Sequence, residues 1–172
     1  MKELILGGAR SGKSVLAEKR ARESGLDVAY IATATAGDGE MAQRIAHHRA
    51  RRPEGWALEE EPIRLAAALQ QHAAAGRCLL VDCLTLWLNN LLAEADEAVF
   101  RRERDALLAA LPGLPGRILL VSNEVGMGIV PLGELSRRFC DEAGRLHQEL
   151  AQVCGRVTFV AAGLPLILKG NA

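Results

Sequence analysis

Eight residues near the amino end have the types and the spacing to hold a polyphosphate. Gly7-Gly8-Ala9-Arg10-Ser11-Gly12-Lys13-Ser14 follows the pattern G-x-x-x-x-G-K-[ST], with the apolar Leu4-Ile5-Leu6 before it and a helix-forming stretch after it. The glycines let the backbone curl so that successive N–H groups and the positive end of the next helix face a triphosphate. Lys13 supplies a mobile charge for the β- and γ-phosphates, and the Ser14 hydroxyl suits an Mg²⁺ shell completed by water and phosphate oxygens. Strand, spacing and helix all agree, which a chance glycine-rich turn would not require.

A second acid belongs to the same chemistry. Arg77 to Asp82 is an apolar run ending in a carboxylate, and such an acid at a strand's carboxyl end beside the P-loop strand holds metal-bound water in P-loop enzymes. Alone the pattern is common; paired with the P-loop it makes Asp82 a candidate Mg²⁺ partner or substrate-hydroxyl partner. Thr33-Ala34-Thr35 opens a polar loop at the end of another apolar run, the place where ligands bind in open α/β sheets.

Gly39 to Arg51 reads as a helix, and its projection separates two adjacent histidines. Met41, Ile45 and His48 share one face, so His48 reads as packed and hydrogen-bonded, whereas His47 projects with Gln43, Arg44 and Arg51. A histidine among guanidinium groups suits a phosphate, but the spacing does not separate that reading from a solvated helix face. Glu59-Glu60-Glu61 likewise reads first as a charge cluster favourable to a helix dipole.

The elements that must position these groups alternate. Strands are expected at Lys2 to Leu6, Val28 to Ala32, Trp56 to Glu59, Arg77 to Asp82, Arg117 to Val121 and Arg156 to Ala161, with an edge strand at Leu164 to Leu168. Helices are expected at Ser14 to Glu23, Pro62 to about Ala75, Leu84 to Glu94, Asp96 to Leu111 and Glu134 to Val153. The last carries Leu135, Phe139, Ala143, Leu146, Leu150 and Val153 as a stripe, core first and subunit contact second. Ser122 to Pro131 is a long loop suited to a substrate lid or a subunit contact. This alternation predicts a single α/β domain over residues 1–172, P-loop NTPase-like of the RecA-like kind, with a mostly parallel sheet flanked by helices.

Bulk properties narrow the partners. The 21 basic and 21 acidic residues balance, so no long-range field draws the chain toward nucleic acid or an acidic membrane. Aromatic residues at 3% disfavour a base-stacking platform. The four cysteines form no C-x-x-C pair, which points away from a zinc site or a disulfide framework. No apolar run approaches membrane-spanning length and the amino end enters a strand at once, so the expectation is a cytoplasmic protein without stable membrane insertion.

GGARSGKS, the ATAT exit after the second strand, the M-A-x-R-I-x-H-H segment followed by R-P, VDCLT and above all NEVGMGIVP together resemble the bifunctional adenosylcobinamide kinase and adenosylcobinamide-phosphate guanylyltransferase family of cobalamin biosynthesis. The resemblance spans nearly the whole chain. It implies phosphorylation of the aminopropanol hydroxyl of adenosylcobinamide with ATP or GTP, then transfer of GMP from GTP to that phosphate, giving adenosyl-GDP-cobinamide and pyrophosphate. It also implies Mg²⁺, a covalent GMP carrier at His47, and a homotrimer. Guanine-nucleotide contacts would fall on the P-loop, Thr33-Ala34-Thr35, the segment after His47 (His48, Arg49, Arg51), Glu60 and Asp82. A monofunctional P-loop kinase would need Lys13, Ser14 and Asp82 but not His47; a nucleotide-driven switch would modify no small molecule.

Overall fold

A computed structural model of the protein describes residues 1–34, 53 and 55–171. Seven strands form one sheet: β1 (Lys2–Gly7), β2 (Asp27–Ala32), β3 (Ala57–Glu60), β4 (Arg77–Asp82), β5 (Arg117–Asn123), β6 (Arg156–Ala161) and β7 (Leu164–Lys169), in the order β3-β2-β4-β5-β1-β6-β7. Every pairing is parallel except β6 with β7. The described helices are α1 (Lys13–Glu23), α2 (Leu65–His72), α3 (Leu84–Ala93), α4 (Glu97–Ala110) and α5 (Glu134–Val153). The expected helix from Gly39 to Arg51, with His47 and His48, lies outside the described residues.

Strand alternation sorts the sheet into two apolar faces. Leu4, Leu6, Ile31, Val81 and Leu120 join Leu65, Trp87, Leu107, Leu146 and Leu150 from α2 to α5 in one core. Ile5, Tyr30, Leu80 and Val121 pack with Ala17 and Ala21 of α1 in the other. Parallel strands buried on both faces need such near-continuous apolar runs, and this is why the strands were legible.

Four expectations are corrected in detail. β5 runs two residues further than Val121, so Ser122 and Asn123 belong to the sheet, opposite Leu6 and Gly7. α2 begins at Leu65, not Pro62. Just ahead of it Glu61 Oε1 accepts from the N–H groups of Ile63 (2.9 Å) and Arg64 (2.8 Å). The Pro62 and Ile63 carbonyls accept from Asn90 Nδ2 and Trp87 Nε1 of α3, and Ala68 N–H donates to Arg64 O at the helix start. The same helix stops at His72, whose ring lies 3.4 Å from Glu59, and Ala73 is already extended. On α5 the predicted stripe is core from Phe139 to Val153, with Ala143, Leu146 and Leu150 buried and Phe139 and Val153 partly so, whereas Leu135 is exposed.

Candidate active site

The register brings the carboxyl ends of six strands to one edge. Gly7 lies beside Asn123 and Val160, Asp82 beside Val121 and Ala32, and Ala32 beside Glu60. The loop from Gly8 to Gly12 sits on that edge and leads into α1.

The loop is held by its own backbone and by the β6–β7 hairpin. Ser11 N–H donates to Gly8 O (3.2 Å), Leu16 N–H donates to Gly12 O (3.0 Å), and Gly163 N–H donates to Ser11 O (2.8 Å). Ala162 and Gly163 both have positive φ, the geometry of a tight two-residue hairpin turn. Gly12 (φ 97°) packs so closely on that turn that a Cβ would stand 3.1 Å from Gly163 Cα. Arg10 also has positive φ (57°), a strained conformation retained in a loop held by outside contacts.

Lys13 opens α1 and is nearly buried. Its Nζ donates to Gly8 O at 3.0 Å, folding the side chain back over the loop. Burial holds its ammonium below the ordinary lysine range, with Cys83 and Asp82 pulling the other way. Among the described residues its hydrogen-bond partner is the Gly8 carbonyl, and phosphate oxygens would supply further acceptors for a buried charge. Asp82 ends β4, and the Tyr30 hydroxyl donates to its Oδ2 at 3.0 Å. Beside it Cys83 is buried, and its thiol is pushed up to about 11 by burial and by the Asp82 charge, so it stays protonated.

Thr33 does structural work at this edge. Fully buried, it donates through Oγ1 to Cys83 O (2.7 Å) and accepts from Cys83 N–H (2.9 Å), tying β2 to β4. Asn90 Nδ2 then bridges Thr33 O (2.8 Å) and Pro62 O (3.2 Å), fixing the ends of β2 and β3 to α3. Ala34 is half-buried just beyond. Glu60 is exposed on β3, while its neighbours point elsewhere, Glu59 to His72 and Glu61 to the α2 amino end. Gly8, Ala9 and Arg10 stand at the surface of the loop and Ser14 is half-buried. Thr35, His47, His48, Arg49 and Arg51 lie outside the described residues.

The donor set suits Mg²⁺ that is also bound to phosphates. Ser14 and Asp82 offer hard oxygens. Among the described residues no group of three His, Cys, Asp or Glu side chains converges to hold a metal. Two buried polar atoms at the same edge, Ser11 Oγ and Asn123 Oδ1, have no protein partner. As an acceptor, Asn123 Oδ1 would suit a donor on a bound ligand or its water.

Tyr30, Trp87 and Asn90 bond to the site's edge without a local sequence motif. His147 has a signal, since 143, 146, 147 and 150 follow helical spacing and place it in the buried stripe of α5.

Strand order, loop and acid together define a P-loop nucleotide-binding enzyme on a RecA-like fold. Solved structures agree at the level of fold. A Pyrococcus horikoshii protein superposes with a TM-score of 0.54 at 11% identity, covering 99% of this chain and 87% of that one. The RadB recombinase gives 0.51 at 17%, covering 92% and 73%. The particular family follows from sequence: residues 3–168 match the model for cobinamide kinase / cobinamide phosphate guanyltransferase, and the chain belongs to that family. It is 68% identical to the bifunctional adenosylcobalamin biosynthesis protein CobP of Pseudomonas aeruginosa, over 99% of both chains. It is 39% identical to CobU of Escherichia coli, over 96% of this chain and 98% of that one.

Proposed function

We propose that this enzyme phosphorylates the aminopropanol hydroxyl of adenosylcobinamide with ATP or GTP. It then transfers GMP from GTP to the resulting phosphate through a GMP–His47 intermediate, giving adenosyl-GDP-cobinamide and pyrophosphate. The observation that carries the reading is the placement of Lys13 over the Gly8 carbonyl, with Asp82 at a nearby strand end, in a chain matched over residues 3–168 by this family.

In the first half-reaction the loop N–H groups and Lys13 hold the phosphates, and Lys13 offsets charge that grows on the leaving oxygens. Mg²⁺, held through Ser14 and Asp82, would supply further neutralisation of the phosphates. Tyr30 fixes the Asp82 carboxylate, and Thr33 with Asn90 fixes the strand ends around it. The nucleotide contacts proposed are Gly7 to Ser14, Ala34, Thr35, His48, Arg49, Arg51, Glu60 and Asp82; Thr33, fully buried and bonded through Oγ1 to Cys83, would hold the strand ends instead of meeting the nucleotide.

In the second half-reaction a neutral imidazole nitrogen of His47 attacks the α-phosphorus of GTP. A P–N bond forms as the bond to pyrophosphate breaks, and the substrate phosphate oxygen then displaces the imidazole. Arg44 and Arg51 would offset the phosphate charge.

The enzyme is further proposed to be a cytoplasmic homotrimer. Ile129 and Leu132 are almost fully exposed and Val130 and Leu164 largely so, more apolar surface than a monomer usually leaves bare. Among the described residues no helix is long and apolar enough to cross a membrane.

The test is incubation with Mg²⁺ and GTP labelled at the α-phosphate. Label should stay on the protein through a bond labile in acid and stable in base. His47→Ala should lose adduct and GMP transfer yet keep kinase activity, and His48→Ala should keep the adduct. Adduct lost only in the His48 variant would move the nucleophile to its neighbour. No adduct on the wild type, with phosphorylation intact, would leave a kinase alone.

A further inference from the structure

We infer that Glu124 accepts the proton of the substrate hydroxyl during phosphoryl transfer, that His147 positions its carboxylate, and that the apolar cavity beside it receives the hydrocarbon flank of the alcohol. This rests on the kinase half of the function proposed above.

Glu124 is the first residue beyond β5, and its N–H donates to Gly7 O at 3.0 Å, so it is fastened to the first glycine of the P-loop. Its Oε1 accepts from Gly126 N–H at 2.6 Å. Its Oε2 lies 3.7 Å from His147 Nδ1. Behind the imidazole runs a chain of contacts: His147 Nε2 to Ser122 Oγ (2.8 Å), Ser122 Oγ to Thr85 Oγ1 (3.3 Å), and Asn123 N–H to Thr85 Oγ1 (2.6 Å).

One set of proton positions uses every contact. The amide of Asn123 can only donate, so Thr85 Oγ1 accepts there and gives its hydrogen to Ser122. Ser122 gives its own to His147 Nε2, which leaves the ring proton on Nδ1, facing Glu124. Burial, the larger influence, holds the His147 ring below the usual histidine range against the pull of Glu124, which favours this neutral tautomer. A buried polar chain that ends on a partly exposed carboxylate restricts where that carboxylate points.

Glu124 also lines a cavity of about 530 Å³ with Leu6, Met127, Phe159, Leu166 and Leu168, and it is the charged residue of that lining. An apolar pocket with a single oriented carboxylate next to a phosphate cradle matches an alcohol on a hydrocarbon frame. The balance is simple. The hydroxyl oxygen forms a bond to the γ-phosphorus as the bond to the bridging oxygen breaks, the bonding pair leaves with the nucleoside diphosphate, and the hydroxyl proton passes to Glu124 and then to water.

The experiment uses the full chain with cobinamide and ATP–Mg²⁺. Glu124→Gln, which keeps shape and removes the base, should lower kinase kcat by about a hundredfold. Binding of a non-hydrolysable ATP analogue and covalent GMP labelling should stay at wild-type values. His147→Ala should lower kcat with an unchanged KM for ATP, and His147→Gln should restore part of it, a rescue that a purely structural histidine would not show. Leu166→Asn should raise KM for cobinamide while sparing kcat. Wild-type kcat in Glu124→Gln would overturn the inference, and so would a Leu166→Asn variant whose oligomeric mass changes while its cobinamide KM does not. A wild-type chain inert toward cobinamide would overturn the functional reading, and this inference with it.

Discussion

The Tyr30 hydroxyl donates to Asp82 Oδ2 across 3.0 Å, joining the middle of β2 to the end of β4 on the face that α1 covers. Tyr30 pairs in register with Leu80, two residues before Asp82, so strand periodicity aims phenol and carboxylate to the same side. The hydrogen bond holds one carboxylate oxygen and limits the rotamers of the acid proposed to face Mg²⁺. Tyr30→Phe keeps the packing and removes the bond. The expected result is a rise in the Mg²⁺ concentration needed for half-maximal activity and a drop of about tenfold in kcat/KM, the scale of one hydrogen bond to a charged group. A metal titration of both proteins measures it; superimposable curves would remove Tyr30 from this role.

Lys13 separates stability from catalysis. Its charge is kept below the ordinary lysine range chiefly by burial, so in the absence of nucleotide the folded state holds it at a cost. The sign follows from linkage: with the folded value depressed, the unfolded chain binds more protons between the two values, and stability rises with pH through that window. Below both values the full penalty is present. Lys13→Met, which leaves Gly8 O its bond from Ser11 N–H, should therefore raise the unfolding midpoint of the nucleotide-free protein while lowering kinase kcat by about 10²–10³-fold. Thermal melts of the nucleotide-free protein check the first half and a kinase assay the second. A destabilised variant would show that the Gly8 contact outweighs the burial penalty.

His147 should leave a mark on acid stability. Burial lowers its folded value and Glu124 only partly opposes this, so the unfolded chain takes up the proton first as pH falls. Stability is then lost from about pH 6.5 downward until the folded value is passed. Melts of the wild type and of His147→Gln across that range should converge at low pH, because the variant has no imidazole to protonate. Parallel curves would mean that His147 titrates alike in both states.

What was legible in the chain was what is coded locally. The P-loop is a matter of spacing, Asp82 of an acid ending an apolar run, and the sheet of apolar stretches separated by helical ones. What was not legible depends on partners far along the chain. Pro62 reads as a helix start, yet the carbonyls of Ile63 and Pro62 accept from Trp87 and Asn90, and the helix begins at Leu65. Ser122 and Asn123 read as loop because they are polar, yet Leu6 and Gly7 of β1 give them strand partners. The Glu124–His147 contact joins a strand end to a helix whose stripe reads only as core.

Gly7 and Gly8 are adjacent in the motif and should fail for different reasons. A Cβ on Gly7 would stand 2.4 Å from Val160 O and 2.5 Å from Ser11 Oγ; the first is backbone of the neighbouring strand β6 and cannot swing aside. Gly7→Ala must therefore shift β1, β6 or the loop, and it should cost about 1–3 kcal/mol of stability together with nucleotide binding. A Cβ on Gly8 would meet nothing within 4 Å. Gly8→Ala should accordingly melt like the wild type, so any loss of ATP affinity in that variant reports crowding of the phosphates by the new methyl group. Denaturant unfolding and calorimetric titration with a non-hydrolysable ATP analogue, run on both variants, separate the cases. A Gly8→Ala protein that is as unstable as Gly7→Ala would show that the second glycine serves the fold and not the approach of the nucleotide.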